Sequence, residues 1–281
     1  MRMDVSYCAD LVRRLDRDRY LCSLFAPDEV RDDLFALYAF NLEVARIPEA
    51  VSEPILGAVR LQWWRETLNA IYTGTTPAHE VAQALARAIA SHELNRMHFD
   101  GLIEARELDL DTRAPADMET LIAYADATAG GLTLLALEIL NPGGNGLDRA
   151  EAVGRNIGIA WALTGLLRSI EFRAQHGRVN LPKSLLEKHE ANAADILALR
   201  CSPGIRAVVA EIAEQARGYL AAARTQTVAD WASPALLPGV LASSYLSRIE
   251  RADYDPFNLR SDGGGFRRQL RLWVAATRGR F

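Results

Sequence analysis

Residues 163–182 read LTGLLRSIEFRAQHGRVNLP, and no other stretch says as much about the fold. This stretch contains the end of a helix that we predict from Arg149 to Arg173, with glycines at a spacing typical of close helix packing. A polar turn follows at Gln175-His176-Gly177, and the chain leaves it through Asn180-Leu181-Pro182. The segment therefore predicts a long packed helix, a short turn and an exit through a Leu-Pro pair.

The helical pattern extends over the rest of the chain. Pro27-Asp28-Glu29 predicts a helix start, because proline suits the first turn and acids favour the positive end of the helix dipole. Apolar residues from Leu34 to Ala45 then recur with the helical period, and Pro48 ends or kinks that helix. The sequence has no convincing strand, repeat or long linker. We predict an all-α fold of about ten or more helices, with residues 1–281 forming a single domain.

Composition and charge argue against nucleic-acid binding, a metal site and a membrane-spanning segment. The chain has a hydrophobic fraction of 49% and a formal net charge of −4, which leaves no global basic field for nucleic acid. Its three cysteines form no CxxC pair and its five histidines no HExxH, so we expect reduced thiols and no metal site. The N-terminus has no signal-peptide pattern, and we expect no membrane-spanning apolar run. These features indicate a reducing, aqueous compartment.

Several blocks resemble the squalene/phytoene synthase family, the head-to-head prenyl synthases. They are Leu37-Tyr38-Ala39-Phe40, the segment 61–74 with its WR pair, the segment from Tyr124 to Gly131, and the opening stretch 163–182. The resemblance implies an isoprenoid (prenyl) synthase-type helical bundle around a central cavity. The candidates that it suggests for lining this cavity or binding an anion are Tyr38, Tyr124, Gly130, Arg168 and Arg178.

Both metal-binding motifs of that family are degenerate in this chain. The family holds substrate diphosphates through magnesium, using two aspartate pairs that each lie four residues apart on one helix face. At the first motif stand Ala45, Arg46 and Glu49; at the second stand Ser169 and Arg173. We therefore assign no catalytic residue, no metal ligand and no cofactor; magnesium is expected only if the chain is an active synthase.

Alternatives remain open for these residues. Arg46 and Arg173 either bind an anion directly or form buried ion pairs with Glu49 or Glu171. Gly130-Gly131 either admits an isoprenoid chain or serves helix packing. An active prenyltransferase that condenses two isoprenoid diphosphates would need substitute ligands, such as Glu49 with Glu171 or Asp126. The acids between Glu104 and Asp111 are better explained as a solvated face than as a metal cluster.

One branch of the family is more similar to this chain than the enzymes are. It is related to an assembly factor for respiratory complex I, and the resemblance includes 20–24, 35–41, 51–53 and 253–257. It implies a non-catalytic protein whose partners are complex I subunits or assembly intermediates, and which keeps a cavity for an isoprenoid or quinone-like lipid. The implied location is cytoplasmic and peripheral on the inner membrane, or on the matrix side in a mitochondrion.

The C-terminal segment combines arginines with aromatic residues. These are Arg267, Arg268, Arg271, Arg278 and Arg280, with Phe266, Trp273 and Phe281. A basic aromatic helix of this kind suits contact with an anionic membrane surface or a partner. The alternative is a helix packed through Leu270, Trp273 and Val274 with its arginines solvated.

Overall fold

The computed structural model describes residues 6–51, 53–111, 113–141, 143, 146–259, 265–279 and 281, with only the backbone of 265 and 266. Within these ranges all regular secondary structure is helical, which confirms the predicted all-α class. In chain order the α-helices are α1 (Tyr7–Leu15), α2 (Arg17–Ser23), α3 (Asp28–Ala45), α4 (Pro54–Tyr72), α5 (Glu80–His92), α6 (Arg96–Glu107), α7 (Met118–Ala125), α8 (Gly131–Leu140), α9 (Leu147–Arg168), α10 (Ile170–Gln175), α11 (Lys183–Lys188), α12 (Ala193–Leu197), α13 (Pro203–Arg224), α14 (Ser233–Leu236), α15 (Pro238–Arg251) and α16 (Gly265–Thr277).

Short tight turns extend or join several of these helices. Ile47–Glu49, Leu108–Leu110 and Asp230–Ala232 form 3₁₀ turns, and Asp126–Gly130 forms a π turn. Pro48 therefore lies in a 3₁₀ turn just beyond α3, where a proline replaces no needed N–H donor. This turn directs the chain away from the axis of α3, which matters for the residues that follow Ala45.

The long helix α9 lies at the centre of the bundle. It packs against α13, α8, α15 and the π turn, while α3 packs against α1, α5 and α8. Ile157, Leu163 and Leu167 on α9 are buried in the main hydrophobic core. Each such side chain contributes about 1.5–3 kcal/mol relative to an exposed position. The helix that ends in the opening motif is thus the central element of the core.

Helices α7 and α8 form one continuous helix through the π turn, from Met118 to Leu140. It is long and apolar enough to cross a membrane by length and composition, contrary to our expectation from the sequence. However, 67% of its 18-residue apolar stretch is buried inside the protein, where the helix packs against α3, α6 and α9. Burial of most of this helix explains its composition as that of a core helix.

The glycines of α9 and the π turn allow close helix packing. A Cβ atom on Gly158 would lie 2.5 Å from the carbonyl oxygen of Ala129 and 2.7 Å from Cα of Gly130. The two backbones are therefore in contact, and only glycine fits on α9 at this point. Gly130 itself is buried. Of the two interpretations of Gly130-Gly131, the geometry favours helix packing.

The terminal helix α16 packs against the bundle, but through other residues than the predicted Leu270 and Trp273. Leu272 and Ala275 are buried in a small cluster with α2 and α15, whereas Leu270 and Trp273 are exposed. Arg268 is not solvated but pairs with Asp18. The cause is a rotation of the helix about its axis, which places residues 268, 272 and 275 on the inner face. Arg280 and the side chain of Phe266 lie outside the described residues.

Candidate functional site

A central cavity of about 440 Å³ lies between α3, the π-turn helix and α9. Its size is within the range of small-molecule sites, and most of its lining is apolar. The apolar residues that line it are Leu15, Leu42, Ala45, Leu121, Ala125, Ala129, Trp161, Ala162, Leu163 and Leu166. The polar ones are Asp16, Arg19, Asn41, Arg106, Tyr124, Thr128, Ser169 and Arg173.

The first degenerate motif is divided between two hollows. Ala45, the last residue of α3, lines the central cavity, and Asn41 lines it one turn earlier. Arg46 and Glu49 instead line a neighbouring groove of about 580 Å³ between α1, α3 and α4, which we call the α1–α4 groove and which shares Leu15 and Leu42 with the cavity. Arg46 Nε and Glu49 Oε2 lie 3.8 Å apart with both side chains half exposed. The pair exists, but it is not buried.

The second degenerate motif faces the central cavity as a unit. Helix α9 ends at Arg168, and Ser169 directly precedes the short helix α10. The backbone N–H of Arg173 donates to the Ser169 carbonyl at 2.9 Å, so the two residues lie one turn apart on one face. Arg173 Nε donates to Ser169 Oγ at 3.2 Å. No ion pair joins Arg173 to Glu171 or to another carboxylate in the described part of the chain, and Glu171 is exposed. The expected buried ion pair is therefore not formed.

A hydrogen-bonded network forms one wall of the cavity. Tyr124 Oη donates to Asp109 Oδ2 at 2.7 Å, and Arg106 Nη1 donates to both the carboxylate and the tyrosine oxygen, at 2.9 and 2.6 Å. Burial raises the pKa of the Tyr124 hydroxyl, so it stays neutral and able to donate. The Nε atom of Arg106 is buried and has no partner among the described residues. Only Tyr124 of this network was predicted.

The remaining predicted cavity residues lie elsewhere. Tyr38 is buried in the core with its ring 5.6 Å from the Arg19 guanidinium, and Gly130 is covered by the packing against α9. Arg168 extends to the other side of α9, over the ring of Tyr245 and 3.6 Å from Asp18. Arg168 is the last residue of α9, whereas Arg173 belongs to α10 beyond the break at Ser169. Arg178 donates to the backbone oxygen of Asp109 at 3.0 Å.

The acids proposed as substitute metal ligands do not converge. Asp126 is paired with Arg155 at 2.6 Å, Glu49 lies in the α1–α4 groove, and Glu171 faces outward. Residues 107, 109 and 111 are each bonded to a different arginine, namely Arg65, Arg106 and Arg113.

Magnesium requires several oxygen ligands around one point. In the described ranges no group of three or more His, Cys, Asp or Glu residues is placed to hold a metal ion. The cavity offers a methyl group, a hydroxyl and a guanidinium where the family motif has carboxylates. These donors do not fit a magnesium-diphosphate site.

Sequence reasoning missed several polar residues of the cavity. Asp16 caps α2 and pairs with Arg19 at 2.7 Å, and the Arg19 guanidinium also lies 5.7 Å from the Trp161 ring. The position of Asn41 in the cavity could have been predicted from the sequence, because it precedes Ala45 by one helical turn. No local pattern predicts Arg106 or Arg19 in the cavity, since only the tertiary packing brings α2 and α6 to it.

Comparisons with known proteins agree with this architecture. The sequence model described as squalene/phytoene synthase matches residues 12–274. The chain is 34% identical over 277 residues to "NADH dehydrogenase (ubiquinone) complex I, assembly factor 6" of Bos taurus, covering 98% of this chain and 82% of the relative.

Enzymes of the same architecture are also similar to the chain. A presqualene diphosphate synthase of Rhodopseudomonas palustris is 30% identical over 207 residues, covering 73% of this chain and 72% of that protein. The crystal structure of a dehydrosqualene synthase superposes with a TM-score of 0.85 at 18% identity, covering 97% of this chain and 95% of the other. The fold is therefore that of these synthases.

Proposed function

We propose that this chain, which belongs to the squalene/phytoene synthase family, acts in the assembly of respiratory complex I and does not catalyse prenyl transfer. Similarity over almost the whole chain to a protein named as a complex I assembly factor supports the first part. The chemistry of the central cavity supports the second.

The observation that carries the proposal is the presence of Ala45, Ser169 and Arg173 on the cavity wall. Alanine has no ligand atom, a serine hydroxyl is a weak ligand for a hard cation, and arginine repels cations. Two unit positive charges about 4 Å apart repel by about 4 kcal/mol at an effective dielectric constant near 20. A magnesium cluster holding two diphosphates would need compensating acids at this place.

The acids nearest to the cavity do not provide that compensation. Asp16 is bonded to Arg19, and Asp109 is bonded to Arg106. Each carboxylate is already neutralised by an arginine at hydrogen-bond distance. The chain has the fold of these synthases, but its cavity lacks the charge that their chemistry requires.

An assembly role also requires a surface that contacts other proteins, and α4 presents one. Ile55, Leu56, Val59 and Trp63 are exposed and lie within one face of the helix. This apolar stripe borders the α1–α4 groove, to which Trp63 also contributes. Contiguous exposed apolar surface of this kind marks interaction sites in soluble proteins. We assign it to a complex I subunit or assembly intermediate.

The site of action follows from the same proposal. Complex I assembly places the protein at the inner membrane, on the cytoplasmic side in a bacterium or the matrix side in a mitochondrion. The outer face of α16 suits a peripheral position, since Leu270 and Trp273 are exposed beside Arg267 and Arg271. Exposed apolar residues flanked by arginines favour the surface of an anionic bilayer.

A deletion strain tests the proposed function. Loss of the gene should lower NADH–ubiquinone oxidoreductase activity and the amount of assembled complex, and the wild-type gene should restore both. Val59→Glu should fail to restore them, because it places a charge in the apolar stripe, whereas Met97→Glu should restore them. Met97 is a matched control, being an exposed apolar residue on α6 outside the stripe.

Incubation of the purified protein with farnesyl or geranylgeranyl diphosphate and magnesium provides the second readout. We expect no head-to-head condensation product. A product that forms with magnesium and disappears in EDTA would overturn the non-catalytic part of the proposal. An unchanged level of complex I in the deletion strain would overturn the assembly part.

A further inference from the structure

Arg173 is an uncompensated cation beside an apolar cavity. Its only hydrogen bond from the side chain within the described residues goes to the neutral Ser169 hydroxyl. The side chain is partly buried, and it lines the central cavity together with Leu166. A half-buried guanidinium without a carboxylate partner is costly, and a bound anion would remove that cost.

The hollow around Arg173 is larger than the central cavity alone. A side groove of about 320 Å³, lined by Asp109, Thr120, Asn180 and Lys183 among others, shares residues with the cavity. The shared residues are Leu121, Tyr124, Leu166 and Arg173. Arg173 therefore lies where the central cavity and the side groove meet. A charged headgroup can lie against its guanidinium while an apolar chain lies along the leucine and alanine side chains of the cavity.

Two further cationic residues line these hollows. Arg106 lines the central cavity, and its buried Nε has no partner in the described part of the chain. Lys183 lines the side groove, and its backbone N–H is already bonded to Pro115. Three acids line the two hollows, and each is bonded to an arginine: Asp16 to Arg19, Asp109 to Arg106 and Asp111 to Arg113. Arg173 and Lys183 remain without a carboxylate partner among the acids that line the hollows. The junction thus carries a positive excess.

We propose that the central cavity binds, without a metal ion, a single-chain lipid with a carboxylate or phosphate headgroup. The headgroup lies against Arg173, since a guanidinium suits bidentate contact with either anion. The chain fills the space between α3 and α9, along Leu42, Ala45 and Ala162. This inference rests on the proposed function in one respect, namely that the cavity is not a magnesium-diphosphate site.

Binding of farnesyl monophosphate, palmitate and the neutral farnesol to the purified protein tests this assignment. Titration calorimetry in EDTA should show binding of both anions, with farnesol at least about tenfold weaker because it cannot pair with Arg173. Adding magnesium should not strengthen the binding. Inorganic phosphate alone should bind at least about tenfold more weakly than farnesyl monophosphate, because it lacks the apolar chain.

Variants locate the site. Arg173→Gln should weaken binding of farnesyl monophosphate at least about tenfold. Ser169→Asp should do the same by placing an internal carboxylate beside Arg173. Arg217→Gln is the matched control, since Arg217 lies on α13, pairs with Glu250 and lines neither hollow, and the affinity of this variant should equal that of the wild type. Circular dichroism and a melting curve establish that each variant is folded.

Several outcomes would overturn the inference. They are absence of binding in EDTA, binding that requires magnesium, equal affinities for farnesol and its monophosphate, equal affinities for inorganic phosphate and the lipid, or unchanged affinity in Arg173→Gln. These results are distinct from failure of the proposed function, which is read from condensation products and complex I levels. A protein that fails to bind lipid in EDTA while supporting complex I would refute this inference alone.

Discussion

The carboxylate of Asp18 on α2 lies 2.7 Å from the guanidinium of Arg268 on α16, although 250 residues separate them in the chain. Tyr245 Oη donates to the other oxygen of the same carboxylate at 2.6 Å, and Arg168 lies 3.6 Å from it. Asp18 is therefore the point at which the first and last parts of the chain are joined. Its burial makes these charge-assisted bonds stronger than surface pairs.

Asp18→Asn should loosen α16 from the bundle. The variant loses the negative charge that Arg168 and Arg268 share, and we expect unfolding to become easier by about 1–3 kcal/mol. Hydrogen exchange should show faster exchange in α16 than in α9, because α9 is held by the main hydrophobic core whereas Arg268 joins α16 to α2 through this carboxylate. Asp10→Asn is the control, since Asp10 pairs with Arg13 on the exposed face of α1. Equal melting temperatures for Asp18→Asn and the wild type would contradict this.

The close contact between α9 and the π turn gives a second prediction. Gly158→Ala places a methyl group against the Ala129 carbonyl, and the backbone on either side cannot rotate away as a side chain would. We expect a loss of about 1–3 kcal/mol, as for other overpacked cores.

Gly218→Ala on α13 should have the opposite sign. A Cβ atom there would have no other atom within 4 Å, so the higher helix propensity of alanine should stabilise the folded protein by up to about 1 kcal/mol. Urea unfolding of both variants measures the difference. If Gly158→Ala were as stable as Gly218→Ala, the two helices would not pack as closely as described.

The helical frame could be predicted from the sequence because its signals are local. Asp28 after Pro27 begins α3 as predicted, and Thr73-Gly74 follows the end of α4. Helices α1 and α2 were missed. They have nine and seven residues, and their caps, Ser6 and Asp16, show their role only once each side chain is seen to accept a backbone N–H. Short helices depend on packing more than on propensity.

The site could be predicted only in part, for a geometric reason. The sequence places Ala45, Arg46 and Glu49 in one motif, but the 3₁₀ turn at Ile47–Glu49 directs the last two into another groove. Ser169 and Arg173 stay together because helical spacing holds them on one face. Residues from α2 and α6, such as Arg19 and Arg106, join the cavity through long-range packing that no local pattern encodes.

Thiol reactivity gives a third prediction. Burial raises the pKa of the Cys201 thiol to about 11, and the charge of Asp255 adds to the increase. Its thiolate fraction at neutral pH should then be about a hundredfold below that of a free cysteine. We expect alkylation by iodoacetamide to be correspondingly slow and to accelerate about tenfold for each pH unit up to the pKa.

A variant of Asp255 and the two buried cysteines provide controls for the alkylation experiment. Asp255→Asn should lower the pKa of Cys201 and speed its alkylation, because a neighbouring negative charge is removed. Cys8 and Cys22 are buried and free, so they should react only after unfolding in urea. Mass spectrometry of each cysteine-containing peptide gives the three rates separately. Rapid labelling of Cys22 in the folded protein would be inconsistent with its position in the core.

Restoring the lost carboxylates provides the last prediction. The triple variant Ala45→Asp, Ser169→Asp, Arg173→Asp places three acids on the cavity wall and removes its uncompensated cation. Aspartates at 169 and 173 share one helix face, so both can reach one cation. Magnesium should raise the melting temperature of this variant by several degrees, because a ligand that binds only the folded state stabilises it.

The matched control carries asparagine at the same three positions, which preserves size and removes the charge. This control should melt at the same temperature in magnesium and in EDTA. The wild type should do the same, because an arginine and a methyl group provide no ligand atom for a hard cation. Stabilisation of the wild type by magnesium to the same degree would show that other residues supply ligands. A triple aspartate variant that is folded but indifferent to magnesium would show that Ala45 and Ser169 no longer face one point. Since both line the same cavity, Ala45 at the end of α3 and Ser169 just before α10, we expect the metal response to return with the charge alone.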